Sequence, residues 1–280
     1  MPAPAPPPVP PLADRLRARE PLAGLFAAMP CADQLEIAGA LGYDLAIVDT
    51  EHGPSGALEL EQHLRAAAAV GLPVLVRVPG PDAAAVQWAL DGGAAGVIVP
   101  HVLDAAGAER IVALASYPPR GRRGFATTPR AGGYGGADWT GHLERAARET
   151  VVVAMIEDAE AVPRAGEILA VPGVCAVLIG AADLALSMGH TDGPGHADVE
   201  AAIAAVVAAA AAAGVPVLSV AGSEADARAW RARGVQVVSY VSVMVVRAAL
   251  ASGLVALRSA PPGGAGAAGS APPTPPRPRA

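Results

Sequence analysis

The 280-residue sequence contains no lysine, and all 20 of its basic residues are arginines. An enzyme that works through an imine needs a lysine amine to form the Schiff base, and so does an enzyme that holds pyridoxal phosphate. We therefore expect neither a Schiff-base lysine nor pyridoxal phosphate. Any enolate that this chain stabilises needs a metal ion, an arginine or hydrogen-bond donors instead.

Cysteine, aromatic residues and excess positive charge are also scarce. Cys31 and Cys175 are the only cysteines, which are too few for a disulfide framework and fit a reducing cytoplasm. Aromatic residues make up 3% of the chain and the net charge is −6. Platforms for stacking bases are therefore scarce and no basic stripe appears, so no nucleic-acid partner is expected.

The amino-acid sequence shows no targeting or membrane-spanning signal. Its beginning has no basic stretch followed by an apolar one, so no signal peptide is expected. The longest apolar run, Ala201–Ala213, is too short to span a bilayer and consists mostly of alanine, which favours an outer helix. These features predict a cytoplasmic protein with no membrane partner.

Composition divides the chain into a core and two tails. Residues 1–11 are rich in proline and alanine, and residues 259–280 in glycine, alanine and proline. Both lack the apolar area that ordering requires, so we expect them to be disordered. Residues 12–258 are predicted to form a single domain, because their length and apolar content suffice for one large core.

Eight short runs of mostly apolar residues alternate with helical patterns along this core. Parallel strands buried on both faces have this character. Eight strand–helix units predict an α/β fold, a single closed (β/α)8 TIM barrel, with an open doubly wound sheet as the alternative. No G-x-G-x-x-G follows the first strand, which argues against dinucleotide binding. The predicted strands are Ala23–Met29, Asp44–Asp49, Pro73–Val78, Ala95–Val99, Val151–Glu157, Cys175–Ile179, Val215–Val220 and Gln236–Val241.

Ionisable residues follow several of these strands at their carboxyl ends, where (β/α)8 enzymes carry their active sites. A barrel with no chemical role does not need acids, bases and cations at one rim. The pattern therefore predicts an active site there. The residues concerned are Asp49, Glu51 and His52 after the second strand, Arg77 at the third, His101 at the fourth, Glu157 at the fifth and Asp183 at the sixth.

Two carboxylates from consecutive strands suit a hard divalent ion. Glu157 and Asp183 leave room for water and substrate oxygens around such an ion, for example Mg²⁺ or Mn²⁺. The structural alternative is that Asp183 caps a helix and Glu157 forms a salt bridge at the rim.

His52 and Arg77 are the candidate base and cation. The unperturbed pKa of histidine lies nearest neutrality, so His52 fits a general base, although a lone histidine after a strand is often only a loop residue. Arg77 lies on a buried strand, where its charge needs a partner. That partner is either an anionic substrate or an internal ion pair with Asp49 or Glu51. His101 has a structural interpretation as a loop residue.

At these residues the chain resembles the HpcH/HpaI aldolase family, which includes 4-hydroxy-2-oxo-heptanedioate aldolase and 2-dehydro-3-deoxyglucarate aldolase. The resemblance covers about residues 21–250. It implies a divalent-metal-dependent aldolase or lyase, using Mg²⁺, Mn²⁺ or Co²⁺, that cleaves or forms 4-hydroxy-2-oxo acids from pyruvate and an aldehyde through a pyruvate enolate. The stretches that carry it are YDLAIVDTEHGP at 43–54, PVLVRVP at 73–79, AAGVIVPH at 94–101, YPPRGRRG at 117–124 and GAADL at 180–184.

The resemblance also implies a role for each site residue. His52 matches the motif histidine that acts as general base, and Arg77 the arginine that holds the carbonyl or enolate oxygen of pyruvate. Glu157 and Asp183 match the metal ligands. The remaining matches are Asp49 and Glu51 around the metal ligands, Gly180, Ala181 and Ala182 at the substrate, and Asp91 as the partner of the histidine.

Asp91 also connects the site to assembly. Asp82 is predicted to cap a helix over Ala83–Asp91, which places Asp91 at the opposite rim from its own His52. It can serve His52 only if a neighbouring subunit brings it there, or if the helix has another boundary. The resembled family forms hexamers in which the final helix is exchanged between subunits, so we expect a homo-oligomer, most simply a hexamer, with a swapped carboxyl-terminal helix.

Four positions depart from the family pattern Gly-Pro-x-Asp-Leu-Ser and from its Gly-x-Asp near the last strand. Ala181 replaces the proline and Ala185 the serine, while Val241 and Val243 replace the glycine and the aspartate. The lost aspartate near the last strand favours one alternative, a non-catalytic barrel that binds a 2-oxo acid. A second alternative is a CoA-ester lyase similar to the citrate lyase β-subunit, which shares the barrel and the metal carboxylates, although the Asp-Thr-Glu-His motif fits the aldolases better. The sequence does not identify the aldehyde.

Overall fold

The structure is a computed structural model that describes residues 9–53 and 56–259. The expectations for residues 1–8 and 260–280 lie outside this range. Of the two predicted tails, the structure describes only the residues next to the core. Pro11 precedes the first helix directly, and Ser259 is the last residue of the final helix.

Eight parallel strands close into a barrel, each paired with its neighbour in chain order and the last with the first. This confirms the predicted (β/α)8 TIM barrel, whereas the exchange of the last helix stays a prediction. The strands are β1 (Leu22–Ala27), β2 (Leu45–Asp49), β3 (Val74–Arg77), β4 (Gly96–Val99), β5 (Val151–Ile156), β6 (Ala176–Ile179), β7 (Val217–Ala221) and β8 (Val237–Val241).

Eleven α-helices lie in the described residues. They are α1 (Leu12–Arg17), α2 (Asp33–Leu41), α3 (Ala57–Ala69), α4 (Ala83–Asp91), α5 (Ala105–Ala115), α6 (Trp139–Glu149), α7 (Ala165–Leu169), α8 (Ala181–Ser187), α9 (Ala197–Ala213), α10 (Glu224–Ala232) and α11 (Ser242–Ser259). Short 3-10 turns occur at Arg130–Gly135 and Val162–Arg164.

The predicted strands differ from the observed ones only at their ends. The first strand stops at Ala27 instead of Met29, because the Met29 carbonyl already accepts the Cys31 amide in a turn. The seventh begins at Val217, since the Val215 amide donates to Ala210 and so ends α9. The hydrogen bonds that end a helix involve residues beyond its last turn, and the sequence does not show where these bonds stop. The ends of the neighbouring strands are therefore the least predictable part of the fold.

Alternation along each strand separates an inner from an outer core. On β2, Leu45 and Ile47 belong to the cluster that fills the barrel, while Ala46 and Val48 belong to the layer between barrel and helices. The period of two places every second residue of a strand in the interior. At the carboxyl ends of the strands the same alternation places polar residues in the barrel interior, above the apolar inner core.

The first and last helices lie outside the eight strand–helix units in different ways. Leu12 and Leu16 of α1 join the inner cluster and close the amino end of the barrel. In α11 only Ser242 is buried, and apolar side chains such as Leu250 are open to solvent. Within the described residues α11 is also long and apolar enough to cross a membrane, a test that a helix packed on protein passes equally well.

Candidate active site

Arg77 and Asp49 form a buried ion pair at the carboxyl ends of β2 and β3. The two residues stand opposite each other in the strand register. Arg77 Nε lies 2.9 Å from Asp49 Oδ1, and Nη2 lies 2.8 Å from Oδ2, while Nη1 is 3.1 Å from Glu51 Oε2. Burial acts to lower the pKa of Arg77, but the hydrogen bond and charge of Asp49 and the charge of Glu51 raise it overall. The predicted ion pair therefore exists with both acids.

A phenylalanine that the sequence analysis missed completes this pair. The Arg77 guanidinium carbon lies 5.0 Å from the ring centroid of Phe26, which faces the barrel interior from β1. The ring face attracts a cation at this distance and shields it from water. The sequence signal that could have predicted this contact is the alternation along β1, in which every second residue, Phe26 among them, faces the barrel interior.

Asp49 also shapes the turn that carries His52. Asp49 Oδ1 accepts the backbone N–H of Glu51 at 3.1 Å and, more weakly, that of His52 at 3.4 Å. Thr50 donates from its backbone and its hydroxyl to the Arg77 carbonyl. The turn is thus tied to β3, and it holds the exposed His52 at the same rim as Arg77.

Glu157 is a buried carboxylate directly after β5, with only 2% of its surface exposed. Its Oε1 accepts the backbone N–H of His101 at 3.0 Å. Burial, together with the negative charges of Asp183 and Glu51, raises the pKa of Glu157 to about 7, against the opposing effect of His101. A negative charge at this position therefore lacks full compensation from the protein.

The first turn of α8 lies directly against Glu157. A Cβ atom on Gly180 would stand 2.6 Å from Glu157 Oε2 and 2.7 Å from the Met155 terminal methyl. The φ of Gly180 is −88°, outside the left-handed region that favours glycine, so the close approach to Glu157 is what requires glycine here. Ala181 is half-buried and Ala182 exposed, at a helix start where backbone N–H groups have no partner within the helix.

His101 contacts the acids of the candidate site and is therefore more than a loop residue. It follows β4 in the left-handed region with φ of 54°. Its Nδ1 is 3.0 Å from Asp158 Oδ2 and 3.6 Å from Glu157 Oε1. The hydrogen bond to Asp158 and the charge of Glu157 raise the pKa of His101, although burial opposes them. Left-handed backbone at a bulky residue is strained and is common where function requires a fixed position.

The oxygen atoms of Glu157 and Asp183 fit a hard divalent cation. Asp183 is half-buried on the first turn of α8, and its charge acts on Glu157. A bound cation would offset the charge that raises the Glu157 pKa, and carboxylates are the protein ligands that Mg²⁺ and Mn²⁺ prefer. These two residues are therefore the ones that could hold a metal ion at this rim.

Asp91 is not brought to this site by its own barrel. It ends α4, shortly before β4 begins, so it lies at the amino rim. Arg123 Nη2 contacts Asp91 Oδ1 at 2.7 Å, and the Arg123 guanidinium lies over the Tyr117 ring. The Asp82 side chain caps α4 by accepting the Ala85 amide, as predicted. A role for Asp91 at His52 stays a prediction that requires a neighbouring subunit.

A cavity of about 730 Å³ lies away from these residues. It is lined by residues that precede β5, β6 and β7, among them Arg120, Cys175 and Pro216, so it opens at the amino rim. The acids, bases and cations of the candidate site meet at the other rim. The candidate active site is therefore assigned from the chemistry of the side chains and not from cavity volume.

Comparison with known proteins agrees with this geometry. The sequence profile described as HpcH/HpaI aldolase/citrate lyase matches residues 22–246. A hydroxypyruvate/pyruvate aldolase from Paraburkholderia phytofirmans is 35% identical over 230 residues, 80% of this chain and 88% of the relative. A second hydroxypyruvate/pyruvate aldolase, from Sagittula stellata, is 36% identical and covers 84% of this chain and 93% of its own length.

A crystal structure shows the same fold. An HpcH/HpaI aldolase/citrate lyase family protein from Burkholderia cenocepacia J2315 superposes with a TM-score of 0.84 at 36% identity, covering 89% of this chain and 99% of the other. The profile match and the identity to full-length relatives exceed what a shared barrel alone would produce. The chain belongs to the HpcH/HpaI aldolase/citrate lyase family and is a carbon–carbon lyase of the aldolase type.

Proposed function

We propose that this chain is a divalent-metal-dependent aldolase that cleaves or forms 4-hydroxy-2-oxo acids through a pyruvate enolate. The observation that carries the proposal is the buried Glu157 carboxylate, whose pKa is raised to about 7 beside Asp183. Such a pair of carboxylates binds a cation at the rim where Arg77 is held in its charged form. A negatively charged enolate finds its stabilisers there.

Each residue has a step in this mechanism. A divalent ion between Glu157 and Asp183 would act as a Lewis acid toward the 2-oxo group of the substrate. Arg77 donates two of its five N–H groups to Asp49 and directs Nη1 toward Glu51, which leaves a second N–H on each terminal nitrogen for the oxygen that becomes negative. Because Asp49 fixes the guanidinium, little reorganisation is needed when the charge develops.

His52 is the base in the cleavage direction. It takes the proton from the C4 hydroxyl, the bond between C3 and C4 breaks, and the electron pair of that bond becomes the enolate. The aldehyde leaves, and the proton that His52 took is passed on to C3, which turns the enolate into pyruvate and returns His52 to its neutral form. Ala181 and Ala182 begin α8 directly after Gly180, and their backbone N–H groups at this helix start are suited to the substrate carboxylate. The Gly180 N–H already donates to the Ile156 carbonyl, so Gly180 contributes by its small size beside Glu157.

Exchange of the pyruvate methyl protons with D₂O tests the enolate directly, because it needs no knowledge of the aldehyde. We expect NMR to show exchange that stops after chelation and returns with Mg²⁺, Mn²⁺ or Co²⁺. Undiminished exchange in a verified metal-free preparation would overturn the role of the metal. No exchange with any of the three ions would overturn the pyruvate enolate.

The CoA-ester alternative differs in its substrate. Comparing acyl-CoA esters with free 4-hydroxy-2-oxo acids separates the two activities. We expect cleavage of the free acids, as the names of the similar aldolases suggest. Binding of pyruvate without any turnover or exchange would instead support the non-catalytic barrel.

A further inference from the structure

The loop between α8 and α9 carries a second cluster of metal-binding side chains that the proposed reaction does not use. His190, Asp192, His196 and Asp198 follow one another in the pattern His-x-Asp-x3-His-x-Asp. His190 comes after the carboxyl end of α8, whereas Asp183 lies on its first turn. Seven helical residues span roughly 10 Å, so the two groups are separate.

The side chains of this cluster converge. The His190 and His196 rings are stacked, with centroids 3.9 Å apart and planes inclined by 13°. Potential ligand atoms of His190, Asp192 and His196 all lie within 4.8 Å of one another. His196 Nε2 is 2.7 Å from Asp192 Oδ1, and His190 Nε2 is 2.8 Å from Asp198 Oδ2.

A simpler interpretation is that these are two surface ion pairs near the start of α9, where acidic residues are favourable. Two independent pairs explain each histidine–aspartate contact. They do not account for the third donor: potential ligand atoms of His190, Asp192 and His196 all come within 4.8 Å of one another, although each ion pair needs only two residues. Proximity of three donors is what a shared ion would select.

We propose that His190, Asp192 and His196 bind a transition-metal ion that accepts imidazole, such as Zn²⁺, at a site distinct from Glu157 and Asp183. Two imidazoles and one carboxylate are a common Zn²⁺ donor set, whereas Mg²⁺ prefers oxygen ligands. Ligand atoms around tetrahedral Zn²⁺ lie about 3.3 Å apart, and each imidazole coordinates in its ring plane, so the two stacked rings would turn away from each other to complete the site.

Asp198 is the positioning residue of this site. Its bond to His190 Nε2 leaves Nδ1 of the same ring for the metal, the carboxylate–histidine–metal arrangement that orients many ligands. The ion would take the place of the proton between His196 Nε2 and Asp192 Oδ1. Because the ligands come from both ends of the loop, binding would fasten the end of α8 to the start of α9.

The test uses the full chain saturated with Mg²⁺, into which Zn²⁺ is titrated by calorimetry. Four variants are compared with the unmodified protein: H190A/H196A, D198N, E157Q/D183N and, as a matched loop control, T191A. We expect one Zn²⁺ site that persists in E157Q/D183N and T191A. Its Kd should rise at least tenfold in H190A/H196A, with a smaller rise in D198N.

Thermal unfolding with and without Zn²⁺ is a second readout. The Zn²⁺-dependent rise in Tm should disappear in H190A/H196A while the Tm without Zn²⁺ stays the same, since both histidines are only partly buried. Equal Zn²⁺ affinity and stoichiometry in H190A/H196A and the unmodified protein would overturn the proposal. So would the absence of any Zn²⁺ binding to the Mg²⁺-saturated protein.

Discussion

At the scale of single residues, the fork of Arg77 is the feature that lysine cannot replace. Two of its nitrogen atoms contact the two oxygens of Asp49. A lysine amine keeps the charge but cannot make this paired contact, and it leaves Asp49 poorly satisfied in a buried position.

We therefore expect Arg77→Lys to lower kcat/KM by roughly 100- to 1,000-fold, about 2.7–4 kcal/mol, the usual loss for an oxyanion donor. Steady-state kinetics measure the effect. Arg65→Lys is the control, because Arg65 forms an exposed pair with Glu61 on α3 and should lose almost nothing. Normal kcat/KM in the Arg77→Lys enzyme would show that Arg77 is only structural.

The raised pKa of Glu157 predicts how metal binding depends on pH. Protons compete with the metal for the carboxylate, so Mn²⁺ affinity should fall about tenfold per pH unit below pH 7. Calorimetry between pH 5.5 and about 8 measures the slope. Glu157→Gln should bind the ion weakly at every pH. A flat affinity in the unmodified protein would contradict the assignment.

The same shift has a consequence for stability in the metal-free protein. The folded state holds the Glu157 proton up to about pH 7, whereas the ordinary value is 4.5. This group therefore contributes stability that is fully present below about pH 4.5 and is lost as the pH rises through 7. The Tm of metal-free protein should fall over this interval less steeply in Glu157→Gln.

At the scale of elements, the site depends on how closely α8 approaches β5. We expect Gly180→Ala to push the Glu157 carboxylate away, because the new methyl would stand 2.6 Å from Oε2. Overpacking of this kind costs about 1–3 kcal/mol in unfolding free energy, and Mn²⁺ affinity should fall as well.

The control is Gly166→Ala on α7, where a Cβ meets nothing within 4 Å. That change should leave metal affinity unaltered and raise stability slightly, since alanine favours a helix. Crystal structures of both variants would locate Glu157. If Glu157 does not move and the Gly180→Ala variant keeps full metal affinity, then the contact between α8 and Glu157 tolerates the added methyl group and the prediction is wrong.

The final helix is the other element that carries a prediction. Leu250, Leu254 and Leu257 are exposed on α11, and such a surface requires a partner. If α11 packs on another subunit, Leu250→Glu should reduce the assembly measured by light scattering, whereas Ala229→Glu on the exposed side of α10 should not. An unchanged mass for the Leu250→Glu variant would contradict this packing.

At the scale of the whole molecule, Asp91 and His52 lie at opposite rims of one barrel. We propose that a neighbouring subunit supplies Asp91, so neither His52→Ala nor Asp91→Asn alone should be active. Refolding the two variants together should restore activity at about a quarter of the sites. These are the sites in which a subunit with an intact His52 lies next to a subunit with an intact Asp91.

The mixture of each variant with itself, refolded in the same way, is the control for this experiment. If Asp91 acts only through its ion pair with Arg123, mixing should restore nothing, because each barrel then depends on its own Asp91. Light scattering of the mixture confirms that hybrid oligomers have formed.

Much of this protein could be predicted from its sequence by local rules. Strands buried on both faces appear as short apolar runs, and the parallel arrangement brings their carboxyl ends to one rim, so Asp49, Arg77, Glu157 and Asp183 could be assigned to it. The resemblance to a known family added the chemistry. The ion pair of Arg77 was one of the alternatives left open, and the structure shows that it forms with both acids.

Other features depended on the tertiary structure, because they join residues far apart in the chain. Phe26 reaches Arg77 only when β1 closes against its neighbours, and Gly180 must be glycine only because β5 delivers Glu157 beside it. The stacking of His190 on His196 depends on how a loop folds back. Hydrophobic periodicity determines which residues are buried, whereas packing in three dimensions determines which of them meet.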